Sequence, residues 1–294
     1  MNTDIRIEND FSHKYPTDVR GDFIPSTNIE VIRQFERGRF GYALFDFDGT
    51  ISLIREGWQS VMGDLMLEVL SDTPLGREEP GLGAYIDRLI AETTGKQTIY
   101  QMIALAEEVS KRGKEPLEPA EYKAEYLRRL LEKIGERRES LRCGAARPED
   151  YLVPGAKEFL LELKDLGLSL YLASGTDQEY VEEESSLLDV GRIFEGNVFG
   201  ARDDYKSFSK AIVIQQILSD TGIEGHRLLG FGDGFVEIDN TKSAGGIAIG
   251  AATNEKDPAF PDEGKRLRLL AVGADVIIPS FSCHSALCRY LMGE

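Results

Sequence analysis

Several features are scarce in this sequence of 294 residues. Its three cysteines (Cys143, Cys283 and Cys288) are odd in number and show no Cys-x-x-Cys spacing, so a disulfide framework is not expected. No apolar run approaches the roughly 20 residues that span a bilayer, and the polar N-terminus lacks the apolar core of a signal peptide. These absences predict a protein of the reducing cytoplasm with no membrane partner.

Positive charge is scarce as well. Lys and Arg number 34 against 51 Asp and Glu, which gives a formal net charge of -17. Nucleic-acid binding requires a basic face that neutralises phosphates, so we expect no nucleic-acid partner. A small phosphorylated metabolite would need a locally positive site within this acidic chain. A monomer and a homodimer are both compatible with the composition.

Short apolar runs alternate with helical segments over the second half of the chain. The predicted strands cover residues 42–46, 168–173, 197–200, 227–231, 246–250 and 274–278. Strands that alternate with helices indicate right-handed crossovers and a doubly wound parallel sheet. We therefore predict an α/β core formed by residues 41–56 and 150–294.

The intervening residues 57–149 show helical periodicity and no strand pattern. Four helices are predicted, near residues 61–70, 85–90, 98–109 and 122–134. The block is too long for a loop in a compact domain, so it predicts an inserted all-helical domain. Residues 1–40 are polar, with one candidate helix from Asn28 to Arg37, and are expected to form an extension packed on the core.

The first predicted core strand ends at Asp46-Phe47-Asp48-Gly49-Thr50. In an open α/β sheet, ligands bind at the carboxyl ends of strands. Asp46 and Asp48 are two residues apart, so in a regular strand their side chains share one face and repel each other. Mg²⁺, which prefers oxygen ligands, would relieve that repulsion and leave a carboxylate oxygen free as a nucleophile. The alternative interpretation is an Asp-Gly turn without chemistry.

Three later segments also place polar residues at strand ends or helix starts. They are Ser174-Gly175-Thr176 after the second core strand, Lys210 at a helix start behind Ser209, and Asp233 with Glu237 after the fourth core strand. Hydroxyls and loop amides can hold a phosphoryl group, and a lysine can pair with a carboxylate and a phosphate together. Each segment alone is also typical of a turn or an exposed helix end. Lys206 is an alternative to Lys210, and Asp239 is an alternative to Glu237.

Taken in order, the four segments resemble the motifs of the haloacid dehalogenase superfamily, in particular its phosphoglycolate phosphatase and β-phosphoglucomutase branch. The first segment is similar to the family motif Asp-x-Asp-Gly-Thr. The resemblance extends from about residue 42 to residue 278, with the helical block matched by position and character. It implies a Rossmann-like core with an inserted helical cap of the C1 type. Two departures are Glu237, where Asp is more usual, and Ile51-Ser52-Leu53, which replaces an acidic tail.

The resemblance also implies roles for individual residues. Asp46 would form an aspartyl-phosphate, and Asp48 would act as general acid and base. Mg²⁺ would be held by Asp46, the backbone carbonyl of Asp48 and Asp233. Glu237 would bind the metal through water or orient Lys210. The residues expected to bind the phosphate or substrate are Thr50, Arg55, Ser174, Gly175, Thr176, Lys206 and Lys210. Those near the hinge or cap face that could read a sugar or a carboxylate are Arg55, Glu56, Trp58, Lys96, Gln97 and Tyr100.

These roles predict a Mg²⁺-dependent phosphatase that hydrolyses a small organic monophosphate, such as a sugar phosphate. Asp48 argues against a dehalogenase, which needs no acid at that position, and against a phosphonate hydrolase, which would use a cap lysine such as Lys96. A phosphomutase would keep every residue named. An inactive binding or regulatory module is a further alternative.

Other chemistries are poorly supported. Thr94-Gly95-Lys96-Gln97 has the Gly-Lys pair of a P-loop, but Gln97 replaces the required Ser or Thr. Ser174 lacks the Gly-x-Ser-x-Gly elbow of a serine hydrolase. Cys283, His284 and Cys288 could suggest a metal site, but we favour packing in a buried C-terminal helix.

Overall fold

An eight-stranded, mostly parallel sheet forms the centre of the molecule. The computed structural model describes residues 10–202, 204–222, 224–254 and 257–294. The strands are β1 (Asp22–Phe23), β2 (Glu30–Val31), β3 (Tyr42–Phe45), β4 (Ser169–Asp177), β5 (Val198–Ala201), β6 (Leu228–Gly232), β7 (Ile247–Ala251) and β8 (Val276–Ile278). Their order in the sheet is β1-β2-β8-β7-β6-β3-β4-β5. The pairs from β8 to β5 are parallel, as predicted for a doubly wound core.

The sheet is flanked by ten helices in the described parts of the chain. They are α1 (Trp58–Ser71), α2 (Leu82–Thr93), α3 (Thr98–Lys111), α4 (Pro119–Arg142), α5 (Ala156–Asp165), α6 (Gln178–Leu187), α7 (Lys210–Thr221), α8 (Phe235–Ser243), α9 (Glu263–Ala271) and α10 (His284–Met292). None of them combines the length and the apolar character needed to span a lipid bilayer.

The strand β3 lies where the chain reverses its direction across the sheet. After β3 the chain adds β4 and β5 on one side, and it then returns to add β6, β7 and β8 on the other. β3 is therefore hydrogen-bonded to both β4 and β6. Ligand sites of open α/β sheets lie at such a switch point, beyond the carboxyl ends of the strands. The topology places the ends of β3, β4 and β6 side by side at one edge.

The four helices predicted between β3 and β4 are all present, as α1 to α4. They pack on one another through apolar side chains such as Met62, Leu65, Leu105 and Ile134, each at most 2 % exposed. The same hydrophobic cluster continues into the sheet at Phe45 and Phe231. The helical block is therefore packed against the core in this structure.

The prediction of a helix from Asn28 to Arg37 is wrong. This segment contains β2, which pairs antiparallel with the edge strand β8, and β1 pairs with β2 in turn. The buried Glu30 accepts two hydrogen bonds from Arg266 on α9, at 2.7 and 2.8 Å. The edge strand β8 offers unpaired backbone N–H and C=O groups, and the hydrogen bonds that β2 makes to them stabilise a strand in spite of the helix-like apolar spacing. Residues 1–9 of the predicted extension lie outside the described residues.

Candidate active site

The carboxylates Asp46, Asp48 and Asp233 follow the ends of neighbouring strands. The amide of Asp46 donates to Phe231 O at 2.9 Å, so the pairing of β3 with β6 continues to the first carboxylate. The chain then turns at Gly49, whose φ of +77° favours glycine. A Cβ at Gly49 would lie 2.3 Å from Oδ2 of Asp233, which shows how closely the two loops approach.

Lys210 lies in contact with the first carboxylate. Its Nζ donates to Asp46 Oδ1 at 2.8 Å and to Gly95 O at 3.3 Å, and it also contacts Glu237 Oε1. Lys210 begins α7, where Ser209 caps the helix by accepting from the amide of Ile212. Only 2 % of the lysine side chain is exposed, and these two acids are its charged partners. Of the two predicted roles of Glu237, this arrangement corresponds to orienting Lys210.

Burial raises the pKa of Asp46 to about 6. The positive charge of Lys210 opposes this effect, while the negative charges of Asp233 and Asp48 add to it. The three acids therefore repel one another in the absence of a further cation. This electrostatic arrangement favours binding of a metal ion or of a positively charged group.

The predicted Ser174-Gly175-Thr176 turn belongs to β4, which is longer than expected. Thr176 Oγ1 donates to Asp48 Oδ2 at 2.8 Å, and Ser174 Oγ lies 3.4 Å from the same oxygen. A Cβ at Gly175 would lie 2.7 Å from the carbonyl oxygen of Lys96, so glycine lets the helical block approach the strand. The two hydroxyls thus contact Asp48, the predicted general acid and base.

Arg55 has a partner that the sequence did not indicate. Its Nε and Nη2 donate to the two carboxylate oxygens of Glu184 at 2.8 and 2.9 Å. Burial raises the pKa of Glu184, and the charge of Arg55 opposes that rise. Arg55 Nε also lies 3.8 Å from Asp48 Oδ1. The guanidinium therefore lies between two carboxylates and also lines the cavity, so its predicted role in binding the phosphate or substrate stays a prediction.

The residues of the site could bind Mg²⁺ with a small number of protein ligands. No cluster of three or more His, Cys, Asp or Glu side chains suited to a metal is found in the described ranges. Asp46 and Asp233 nevertheless each keep a second carboxylate oxygen, because Lys210 and Lys265 take one apiece. Two carboxylates, a backbone carbonyl, waters and substrate oxygens form a ligand set that Mg²⁺ commonly takes.

These residues line one cavity of about 70 Å³ between the sheet and the helical block. One water requires roughly 10–15 Å³ of such space, so the cavity has room for several waters. The cavity is lined by Asp46, Asp48, Arg55, Trp58, Thr94, Gly95, Lys96, Thr98, Gln101, Tyr126, Ser174, Gly175, Thr176, Lys210 and Asp233. A group as small as a phosphoryl group fits this space.

Several predicted residues lie elsewhere. Lys206 is exposed on a short 3₁₀ helix and does not line the cavity, so Lys210 is the lysine that the fold brings to the carboxylates. Gln97 donates to Phe208 O at 2.8 Å, and Tyr100 packs edge-on against Tyr205. Asp239 pairs with Lys14 from the N-terminal segment. Thr50 is fully buried and does not line the cavity. Glu56 does not line it either.

Sequence reasoning missed Glu184, Lys265 and Tyr126. The charged pair of Asp233 and Lys265 spans 32 residues and joins α9 to the end of β6 at 2.8 Å. In the sequence Glu184 and Lys265 have the character of a solvated helix face and Tyr126 that of an apolar helix position, so no local signal identifies them as site residues. In the C-terminal segment that was considered for a metal site, His284 pairs with Glu162.

Comparisons with known proteins show the family of this chain. Residues 42–245 match the family model of haloacid dehalogenase-like hydrolases. The chain belongs to that family. No curated protein sequence matches it.

Solved structures show the same fold. A predicted phosphoglycolate phosphatase from Haemophilus somnus 129PT is 18% identical, with a TM-score of 0.54 over 85% of this chain and 98% of its own. A predicted phosphatase from Clostridium acetobutylicum is 17% identical, with a TM-score of 0.54 over 85% and 99%. A provisional β-phosphoglucomutase from Thermotoga maritima is 17% identical, with a TM-score of 0.50 over 86% and 100%. At these identities the likeness shows the fold.

Proposed function

We propose that this hydrolase is a Mg²⁺-dependent phosphatase acting on a small organic monophosphate. The observation that carries the proposal is the meeting of Asp46, Asp48 and Lys210 in one cavity that a phosphoryl group fits. A nucleophile, an acid and base, and a charge partner are the groups that phosphoryl transfer through a covalent intermediate requires.

Asp46 is the nucleophile in the first step. Its carboxylate oxygen forms a bond to phosphorus while the bond from phosphorus to the leaving oxygen breaks. Asp48, held by Thr176 at 2.8 Å, donates its proton to that leaving oxygen. In the second step Asp48 takes a proton from the attacking water, and the bond between Asp46 and phosphorus breaks to release inorganic phosphate. Lys210 neutralises part of the charge on Asp46 and on the phosphoryl oxygens.

Asp46, Asp233 and the backbone carbonyl of Asp48 would hold Mg²⁺, and the bound ion supplies neutralisation of phosphoryl charge. Gly49 supports this assignment, because its lack of a Cβ lets the loop after β3 approach Asp233. Lys265 Nζ donates to Oδ2 of Asp233 at 2.8 Å, which leaves Oδ1 of Asp233 for the metal.

The helical block 57–149 serves as the cap in this proposal. Trp58, Lys96 and Tyr126 line the cavity from the linker and the helices, so the block forms one wall of the site. The part of a substrate beyond its phosphoryl group would meet these residues.

The test is phosphate release from a panel of sugar phosphates, phosphoglycolate, nucleoside monophosphates and an aryl phosphate, with and without Mg²⁺. Asp46→Asn should abolish release, because an amide cannot act as the nucleophile. Asp165→Asn, an exposed acid on α5, is the matched control and should retain it.

Metal-independent release, or release that survives Asp46→Asn, would overturn the mechanism. Isomerisation of a sugar phosphate without net release would identify a phosphomutase instead. The absence of both activities and of a trapped aspartyl-phosphate would indicate an inactive binding module.

A further inference from the structure

The carboxylate of Glu184 is fully buried at the edge of the candidate site. It lies on α6, directly after β4, and its side chain is 0% exposed. A buried carboxylate is costly unless it is paired and hydrogen-bonded. Arg55 meets this requirement with two parallel hydrogen bonds, at 2.8 and 2.9 Å. This bidentate geometry fixes the plane of the guanidinium as well as its position.

The orientation of Arg55 matters because of what lies on its other side. Its Nε is 3.8 Å from Asp48 Oδ1, which is buried and has no hydrogen-bond partner within the described ranges. The second oxygen of Asp48 is held by Thr176. Asp48 is therefore oriented by a hydroxyl on one oxygen and by the Arg55 charge near the other.

The backbone that carries Arg55 is held independently from α4. Arg137 Nη1 donates to the carbonyl oxygens of Ile54 and Glu56, at 2.8 and 3.0 Å, so both neighbours of Arg55 are fixed. A long arginine side chain still has rotamer freedom on a fixed backbone. The bonds to Glu184 remove that freedom.

We propose that Glu184 is a positioning residue for catalysis, which holds Arg55 so that its charge orients Asp48 for protonation of the leaving oxygen. This inference rests on the proposed phosphatase function. Neither carboxylate oxygen of Glu184 reaches the reacting atoms, since the residue does not line the cavity. Its effect passes through Arg55, which does.

A dependence on the leaving group separates this role from a purely structural one. An alkyl phosphate needs a proton on its departing oxygen, whereas the phenolate of nitrophenyl phosphate departs without one. General-acid catalysis contributes about 10²–10⁴-fold. We therefore expect Glu184→Gln to lower kcat/KM for the best alkyl ester by about 10–100-fold. We expect kcat/KM for nitrophenyl phosphate to change by less than about threefold, because its leaving group needs no proton from a general acid.

The adjacent Glu183 offers a matched control. It lies on the same helix and pairs with Arg138 and Arg142 of α4, but not with Arg55. Glu183→Gln should leave both substrates unaffected. Asp48→Asn should show the same selective loss in kcat/KM as Glu184→Gln, because kcat/KM reports only the steps up to departure of the leaving group and not the later activation of water by Asp48. In that constant the double variant should lose little more than Asp48→Asn alone.

Equal losses on the alkyl and aryl esters would overturn the positioning role and indicate a structural one, as would full activity on both. If Glu184→Gln does not fold by circular dichroism, Arg55→Lys tests the same expectation, because it keeps the charge and loses the two-pronged geometry. A parent enzyme without phosphatase activity would overturn the proposed function and this inference together. An active parent with an unselective Glu184→Gln variant would overturn the inference alone.

Discussion

Replacing Gly49 by alanine would test the close approach that places Asp233 in the site. The added Cβ would lie 2.3 Å from Oδ2 of Asp233, well inside contact distance. The carboxylate cannot simply rotate away, because Lys265 holds the same oxygen at 2.8 Å. We expect the variant to move Asp233 from the position in which it faces Asp46.

Two effects contribute to the loss of stability that we expect for Gly49→Ala. Gly49 has a φ of +77°, and a residue with a Cβ costs about 1–2 kcal/mol in the left-handed region. Overpacking of a buried site adds about 1–3 kcal/mol. The free energy of unfolding should therefore fall by about 2–5 kcal/mol in total. Displacing Asp233, the proposed metal ligand, should also weaken Mg²⁺ binding by at least about 10-fold, the lower end of the effect of mutating residues that support ligands.

Gly81→Ala separates the two effects. Gly81 has nearly the same φ, +78°, but a Cβ there would meet no atom within 4 Å. This control should show the backbone cost alone, about 1–2 kcal/mol, with unchanged metal binding. Urea denaturation would measure stability, and the thermal shift on Mg²⁺ addition would measure binding without relying on activity.

Equal destabilisation of the two variants would refute the contact between Gly49 and Asp233. Destabilisation by Gly49→Ala with unchanged Mg²⁺ binding would retain the contact and remove Asp233 from the metal site.

Three further outcomes are expected. Lys210→Met should lower the free energy of unfolding by about 3–5 kcal/mol in urea, since Glu237 would stay buried without its cation, and unchanged stability would contradict that pairing. Ser209→Ala should cost about 1 kcal/mol through loss of the α7 cap, and a thermal melt without a shift would argue against it. A thiol reagent should modify the exposed Cys143 in the folded protein, whereas Cys288 should react only after unfolding, because burial shields its thiol and raises its pKa. Mass spectrometry would follow both sites, and reaction of Cys288 in the folded protein would contradict this expectation.

The sequence was informative wherever a local pattern determines the structure. Asp46 and Asp48 end an apolar run, and Lys210 follows a capping serine. Strand ends and helix starts are defined by a few neighbouring residues, so their order along the chain predicts the parallel sheet and the edge at which they meet. The helical periodicity between β3 and β4 likewise predicts four helices.

Local patterns were misleading at the N-terminus. The apolar spacing around Glu30 suggested a helix, but the pairing of β2 with β8 determines its conformation. A strand of two residues has too little sequence to be recognised by its period. Its stability comes from backbone hydrogen bonds to an edge that lies more than two hundred residues away in the chain.

The tertiary structure alone determined which buried charges meet. Arg55 and Glu184 are 129 residues apart, and Asp233 and Lys265 are 32 apart. The sequence establishes that the charges are present and which elements carry them. Their partners depend on how helices α6 and α9 pack against the strand ends, because electrostatic energy depends on distance in space. The sequence thus determined the chemical groups of the site, and the packing of the helices determined which groups hold them in place.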